Sequence, residues 1–449
     1  MAKPQKPASQ VMELLLHVAE RMGFGSDRQL AELVGVTPEN VANWRSGLVK
    51  ELKGQTLQLV KEALGNQLKS LLEQARVMAD APLEVCPLEV EDGSSPADLQ
   101  RQFIDRVAYD YLGHRFLYYE PQGALAWENL IRQGYEQEVW LAAVEKCARA
   151  WLDTARDGQG DCKGPLAEAL GLSRKGAPRG IDVIGLGSGE GAKEALLLRA
   201  LLEVEKSSGQ RLSWLTFAPI DVSIPLLLTA ARSARQLLAG ARGPLDAAKA
   251  VLPFCADFEE GRLSFLQRLP TTSRPPEQGI RLVVLLGNTF GNLRSEESFL
   301  RHKLVQLVRP GDFVWLEVGV RSSRVEDDPL YAMTKSDGGE ETSAVANRRI
   351  LLEGPYRRWE SAMGRRPGAL SLRVWVRQND DSCHVPGSLN FCHDLVLRED
   401  RRVCTMLYSR RYDLDELSRW LERMQLSIER RYRIEDSRQQ VAHLLLRRR

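Results

Sequence analysis

Four short segments carry residues whose types and spacing could do chemistry. Residues 181–193 read Ile-Asp-Val-Ile-Gly-Leu-Gly-Ser-Gly-Glu-Gly-Ala-Lys. An apolar run ends in Gly185, Gly187, Gly189 and Gly191, and Ala192, Ala195, Leu196, Leu197, Ala200 and Leu201 follow at helical spacing. A strand that breaks into glycines and turns into a helix brings backbone N–H groups close to a ligand. The second segment, Ala218-Pro219-Ile220-Asp221-Val222-Ser223, ends an apolar run in a carboxylate. An acid there can accept hydrogen bonds from both hydroxyls of a ribose. Gly189 and Asp221 lie 32 positions apart, beyond the usual spacing of about 20, and the polar stretch 206–211 absorbs the excess as a loop. In the third segment, Cys255-Ala256-Asp257-Phe258-Glu259, an acid followed by an aromatic ring suits an adenine. The fourth, Leu285-Leu286-Gly287-Asn288-Thr289-Phe290-Gly291-Asn292, follows an apolar run. Its Asn292 can both donate and accept, which suits an amine or a carboxylate.

These segments need a scaffold that gathers strand ends. From 179 onward the pattern alternates. Strands are expected at 181–185, 212–220, 280–286 and 313–320, with helices at 192–205, 223–238 and 295–308. Alternation of this kind argues for a parallel sheet covered on both faces by helices, with ligands beyond the carboxyl ends of the strands. Residues 323–402 break the rhythm with strand-like runs at 370–377 and 391–398, read as a second lobe. The tail 427–446 reads as an antiparallel edge strand or hairpin.

The segments Gly187-Ser188-Gly189 with Lys193, Pro219-Ile220-Asp221-Val222, Asp257-Phe258, and Leu286 to Asn292 followed by Pro310-Gly311-Asp312 agree with one known pattern in order and spacing. Over about 180–320 they resemble the histidine-specific methyltransferases of ergothioneine biosynthesis, which depend on S-adenosylmethionine (SAM), and the likeness weakens toward 449. The resemblance implies a class I SAM-methyltransferase fold, a doubly wound α/β sheet with a second substrate lobe, and SAM as cofactor. It implies that Gly187 and Lys193 contact the methionyl group, with Ser188 and Gly189 completing that corner. Asp221, with Val222, would hold the ribose, and Asp257 with Phe258 the adenine. Asn292 would meet the amino-acid substrate. Tyr119 stands in a stretch similar to the family's tyrosine-glycine segment and is expected to contact substrate. The family's Glu-x-Ser-x-Lys-Tyr run, whose Glu and Ser hold a histidine imidazole, is similar to Leu407-Tyr408-Ser409-Arg410-Arg411-Tyr412. Ser409 keeps the serine position, but Leu407 stands at the glutamate. A leucine cannot accept from an imidazole N–H, and a site lacking that partner discriminates poorly for it. The expected acceptor is therefore a small amine or amino-acid-like molecule other than histidine. No residue can be assigned as the base that takes the amine's proton.

Upstream lies a different module. Residues 26–47 read Ser-Asp-Arg-Gln-Leu-Ala-Glu-Leu-Val-Gly-Val-Thr-Pro-Glu-Asn-Val-Ala-Asn-Trp-Arg-Ser-Gly. Ser26 starts one short helix, and Gly35 ends it. Thr37 caps the next, with Pro38 at its first position. Val41 and Trp44 face inward, and Ala31 lets two helices cross closely. This is a helix-turn-helix pattern that resembles the DNA-binding domain of phage-repressor-like proteins. Glu39, Asn40, Asn43 and Arg45 would face the major groove. Residues 1–78 hold ten basic and eight acidic residues, a weak phosphate footprint, so a protein-contact role stays open. A second copy of the chain is a candidate partner.

The expected layout is therefore an all-α helix-turn-helix domain at 1–78, an acidic linker at 79–99, a helical part at 100–178, a Rossmann-like SAM core at 179–322, and the second lobe with C-terminal strands at 323–449. A net charge of +2 over 449 residues gives no overall pull toward nucleic acid or membrane. Seven cysteines without framework spacing point to reduced thiols and a cytoplasmic setting. No apolar run approaches membrane-spanning length, and no metal site is expected. No Asp/Asn-Pro-Pro-Tyr run is present, so the usual exocyclic-amine DNA methyltransferase site is absent. Two functions remain in view: a small-molecule N-methyltransferase with a DNA- or protein-binding module, or a SAM-binding regulator whose methyltransferase-like domain does not turn over.

Overall fold

The computed structural model describes residues 27–28, 31, 37–45, 88–106, 112–134, 137–155, 163–172, 178–322, 351–357, 370–378, 383–397, 403–434 and 440–449. The chain divides into two compact units, Met1–Val85 and Cys86–Arg449.

In the first unit the described helix is α1, Pro38–Arg45. Thr37 caps it as expected, its Oγ1 accepting from Asn40 N–H at 3.3 Å. Val41 and Ala31 are buried, and Glu39 and Asn40 are exposed. Ser26, Gly35 and the Trp44 side chain lie outside the described residues.

The second unit is built on an eight-stranded sheet: β1 Glu89–Val90, β2 Gly180–Leu186, β3 Leu215–Asp221, β4 Phe254–Cys255, β5 Gly279–Leu285, β6 Phe313–Gly319, β10 Leu426–Ile434 and β11 Val441–Arg448. Their order is β1-β4-β3-β2-β5-β6-β11-β10. The first six are parallel, and β11 and β10 close the sheet as an antiparallel hairpin. The central strands are apolar on both sides, as strands covered twice must be. Ile184, Ile220, Val283, Leu285 and Leu316 feed one core; Val183, Phe217, Leu282, Val284 and Trp315 feed the other.

Helices α2 Pro96–Arg106, α3 Pro121–Gly134, α4 Gln137–Trp151, α5 Ala192–Ser208, α6 Ile224–Arg242 and α7 Leu414–Arg423 surround the sheet. α4, α5 and α6 cover one face through Val144, Trp151, Leu197, Leu201, Ala231 and Leu238. α7 covers the other with Leu417, Trp420 and Leu421, beside the segment 296–307. That segment, expected as one helix, is two α turns flanking a wide-wound stretch, Leu300–Leu304. The second lobe is an antiparallel sheet of β7 Leu370–Gln378, β8 Leu389–Leu397 and β9 Val403–Arg411. A bridge between Val320 and Tyr412 joins it to the end of β6. Among the described residues no helix is long and apolar enough to cross a membrane.

The acidic linker expected at 79–99 needs correction from residue 88 on. Glu89 and Val90 pair with Phe254 and Cys255. Glu91 is buried and accepts from Ser264 N–H and Oγ at 2.8 Å and from Arg262 N–H at 3.2 Å. Its charge satisfies three donors in a turn that would otherwise be orphaned. The second unit freed by removing residues 1–85 is the reference. Removing residues 1–95 strips β1 and Glu91 and should cost about 1–3 kcal/mol in urea unfolding; equal stability of the two truncations would show that this segment is a linker after all.

Candidate functional site

The carboxyl ends of β2, β3, β5 and β6 open into one cavity, roofed by α3 and α4 and closed on one side by β8 and β9. Its wall contains Gly187, Ser188, Gly189, Lys193, Asp221, Val222, Asp257, Phe258, Asn292 and Ser409. The expected site residues therefore meet in one place, with one exception. Tyr119 does not line the cavity. It is 3 % exposed, packs on Phe116, and donates its hydroxyl to Gln100 Oε1 at 2.6 Å. Successive residues of a helical turn point about 100° apart, so Tyr118 faces the cavity in its place, edge-on to Trp127.

The glycine corner works differently from the expectation. Gly187 and Gly189 have φ of 67° and 54°, a region that penalises any side chain. Their N–H groups are engaged within the protein: Gly187 donates to Ile220 O at 2.8 Å, and Gly189 to Asp221 Oδ2 at 2.9 Å. Ser188 N–H also donates to Ile220 O, at 3.3 Å. The glycines thus supply room for a ligand rather than a row of donors. Asp221 Oδ1 accepts from Ser223 N–H at 2.9 Å. Burial raises the Asp221 carboxyl above its usual range, against the pull of these bonds. Val222 N–H also bonds the carboxyl, and a carboxylate's roughly four acceptor positions still leave room for a ligand.

Lys193 reaches across to Glu317 at the end of β6, with Nζ 2.6 and 2.7 Å from the two carboxylate oxygens. It also lies over the Trp140 ring at 5.1 Å. Burial would raise Glu317, but Lys193, then His443, outweigh it and leave the carboxyl below its usual value. Lys193 therefore brings no net charge to the cavity, and one of its three N–H groups remains for a ligand. The sequence reading missed Glu317, although an acid inside the apolar run Phe-Val-Trp-Leu-Glu-Val-Gly was a visible signal.

Asp257 is heavily used. Oδ1 accepts from Glu259 and Glu260 N–H at 2.9 and 3.2 Å, and Oδ2 pairs with Arg115. Only Oδ2 has capacity left for an adenine amine. Phe258 lies close beside Gly187, where an added Cβ would stand 3.6 Å from its ring. His114 and Arg115, also missed, complete this end of the cavity. His114 Nδ1 is 3.9 Å from Glu259 Oε2. Burial lowers His114 and pushes Glu259 up to about 8, so both are neutral near pH 7.

Asn288, with φ 61°, joins the strand ends to the second lobe. Its Oδ1 accepts from Gly319 N–H at 2.9 Å, and its Nδ2 reaches Asn292 Oδ1 and Ser409 Oγ, each at 3.3 Å. On the far side of β9, buried Arg410 donates to the carbonyls of Leu293 and Arg294, and both Arg410 and Tyr412 bind Glu296. These bonds clamp the turn carrying Asn292 onto the strand carrying Ser409.

Residues 167–323 match the family model described as histidine-specific methyltransferase, SAM-dependent. This stretch is similar to that family. The chain is thus a methyltransferase whose cofactor is SAM. No curated protein sequence matches it. Similar solved structures include the CcbJ methyltransferase from Streptomyces caelestis, at 14% identity and TM-score 0.30, covering 68% of this chain and 96% of that one. Another is 1,6-didemethyltoxoflavin-N1-methyltransferase from Burkholderia thailandensis, at 12% identity and TM-score 0.31, covering 72% and 87%. A third is magnesium protoporphyrin IX methyltransferase from Synechocystis PCC 6803, at 12% identity and TM-score 0.33, covering 72% and 93%.

Glu194, on the wall of the methyltransferase cavity, is buried at the start of α5, and burial pushes its carboxyl up to about 7. A carboxyl raised from 4.5 to that value costs the fold about 3 kcal/mol once ionised. Its contribution is most favourable below pH 4.5 and is lost as pH rises toward about 7. Glu194→Gln should therefore raise the melting temperature at pH 8, and the gain should shrink toward pH 5. A gain independent of pH would refute the buried-carboxyl account.

Proposed function

We propose that the enzyme transfers the SAM methyl group to the nitrogen of a small amine or amino-acid-like molecule other than histidine. The neutral amine's lone pair forms the N–C bond as the C–S bond breaks. The electron pair stays on sulfur, giving S-adenosylhomocysteine, and the nitrogen's extra proton leaves to water. Alignment and exclusion of water are the enzyme's main contributions to such an in-line displacement.

The observation that carries this reading is the convergence of Asp221, Phe258, Asn292 and Ser409 on one cavity at the strand ends. Asp221, with Val222, holds the ribose, and Phe258 with Asp257 Oδ2 holds the adenine. Gly187, Ser188 and Gly189 give the methionyl group room, and Lys193 donates to its carboxylate. Asn292 and Ser409 face the acceptor. Leu407, on the same wall, offers no acceptor to an imidazole N–H, which disfavours histidine.

The first unit is read as a DNA- or protein-binding module. Support comes from the Thr37-capped helix, with Glu39 and Asn40 exposed along it. On DNA, Glu39, Asn40, Asn43 and Arg45 would meet base edges.

Calorimetric titration should show S-adenosylhomocysteine binding. Asp221→Ala should weaken it by about 1.5–3 kcal/mol, the worth of hydrogen bonds to a charged group. Methyl transfer from labelled SAM should appear with amine metabolites and remain low with L-histidine; efficient histidine methylation would contradict the acceptor assignment. A gel shift with genomic DNA fragments should weaken with salt, and Asn43→Ala and Arg45→Ala should each cost about 1–3 kcal/mol. No shift on any fragment would leave the protein-contact role.

A further inference from the structure

Glu194 lies in the first turn of α5. It follows Lys193 in the chain, and both line the cavity. Glu194 is 3 % exposed, and no ion pair joins it to a described residue. Gly185, next to last in β2, makes room for it. A Cβ there would collide with Ser188 Oγ and stand 3.2 Å from Glu194 Oε1. Ser188 Oγ favours the charged carboxyl, yet forms no hydrogen bond of ordinary geometry. A buried acid and a buried hydroxyl therefore share one corner of the wall, each with bonding capacity to spare.

The methionyl end of SAM carries an ammonium and a carboxylate on the same carbon, so both charges must be answered close together. Lys193 is placed for the carboxylate. The other acids of the wall are committed elsewhere. Glu317 holds Lys193 with both oxygens and takes the Gly287 N–H. Asp221 binds the glycine loop and the start of α6. Asp257 pairs with Arg115 at the adenine end. Glu190 is half-buried in the glycine loop. Glu194 is the buried acid left beside Lys193. The charged groups that face it are Lys193 from α5 and Glu317 from β6. Gly185 of β2 and Ser188 after it are uncharged.

We propose that the Glu194 carboxylate receives the α-ammonium of the cofactor's methionyl group, so that consecutive residues of α5 answer both charges of that group. The proposal rests on the reading that this corner holds the methionyl group. An ammonium can face only acceptors, and beside a buried carboxyl it favours the ionised form. Burial, the largest influence, holds Glu194 at about 7 before the ligand arrives. Cofactor binding below that value should therefore expel the carboxyl proton into the buffer.

The test titrates the full chain with S-adenosylhomocysteine and with 5′-methylthioadenosine, by calorimetry in buffers of different ionisation enthalpy. The second ligand keeps the adenine and ribose but has no amino-acid end, so it reports the groups at that end alone. S-adenosylhomocysteine should release more protons than 5′-methylthioadenosine, by about 0.9 at pH 6 and about 0.1 at pH 8. Glu194→Gln should erase that difference. It should also weaken S-adenosylhomocysteine about tenfold or more at pH 8, leaving 5′-methylthioadenosine unchanged. Glu190→Gln should change neither quantity. Equal proton release by the two ligands in the parent protein, full S-adenosylhomocysteine affinity in Glu194→Gln, or an effect that follows Glu190 instead would overturn the proposal alone. Binding of neither ligand would overturn the cofactor corner together with it.

Discussion

The carboxylate of Asp221 is the constraint on which the site depends. It ends β3, is buried, and bonds at once to the glycine loop after β2 and to the start of α6. Burying a charge is costly unless hydrogen bonds replace water, and here the backbone N–H groups of Gly189, Val222 and Ser223 do so. The return is geometric. The loop is held down on β3, α5 begins in a fixed place, and Lys193 on its first turn is directed at Glu317. Packing tightens the same corner: a Cβ at Gly191 would stand 2.8 Å from Ala230 Cβ on α6.

Charge around the cavity is largely paired before any ligand arrives. Lys193 meets Glu317, Arg115 meets Asp257, and burial keeps Glu259 and His114 neutral. A methyl transfer from a sulfonium to an amine develops no large new charge that an isolated ion must stabilise. A wall whose charges are largely paired fits that chemistry. The backbone of β6 orients the Asn288 amide, and Ser409 Oγ accepts from that amide and from Arg411.

Much of the fold was legible in the chain. Apolar runs that end in Gly187, in Asp221 and in Gly287-Asn288 marked β2, β3 and β5, because a strand covered on both faces must be apolar throughout and must stop where polar chemistry begins. That Asp221 and Asn292 meet followed from the order of those strand ends, while the family resemblance placed Asp257, Phe258 and Ser409 beside them. What escaped the reading was long-range. Glu317 is recognisable only once Lys193 is seen to reach it from another element. Whether Tyr118 or Tyr119 faces the cavity is set by the rotation of one helical turn, which adjacent identical residues cannot reveal. Residues 88–95 look like linker in composition, yet their acids answer donors more than 160 positions away. The glycine loop signalled closeness to a ligand but not that its own N–H groups were already engaged.

The most direct measurement is a crystal structure of the chain with S-adenosylhomocysteine. The account predicts the ribose hydroxyls within hydrogen-bond distance of Asp221, the adenine against Phe258, and the sulfur directed toward Asn292 and Ser409, with the Gly189–Asp221 bond intact. A nucleoside bound elsewhere, or Asp221 turned away from it with the glycine loop displaced, would contradict it.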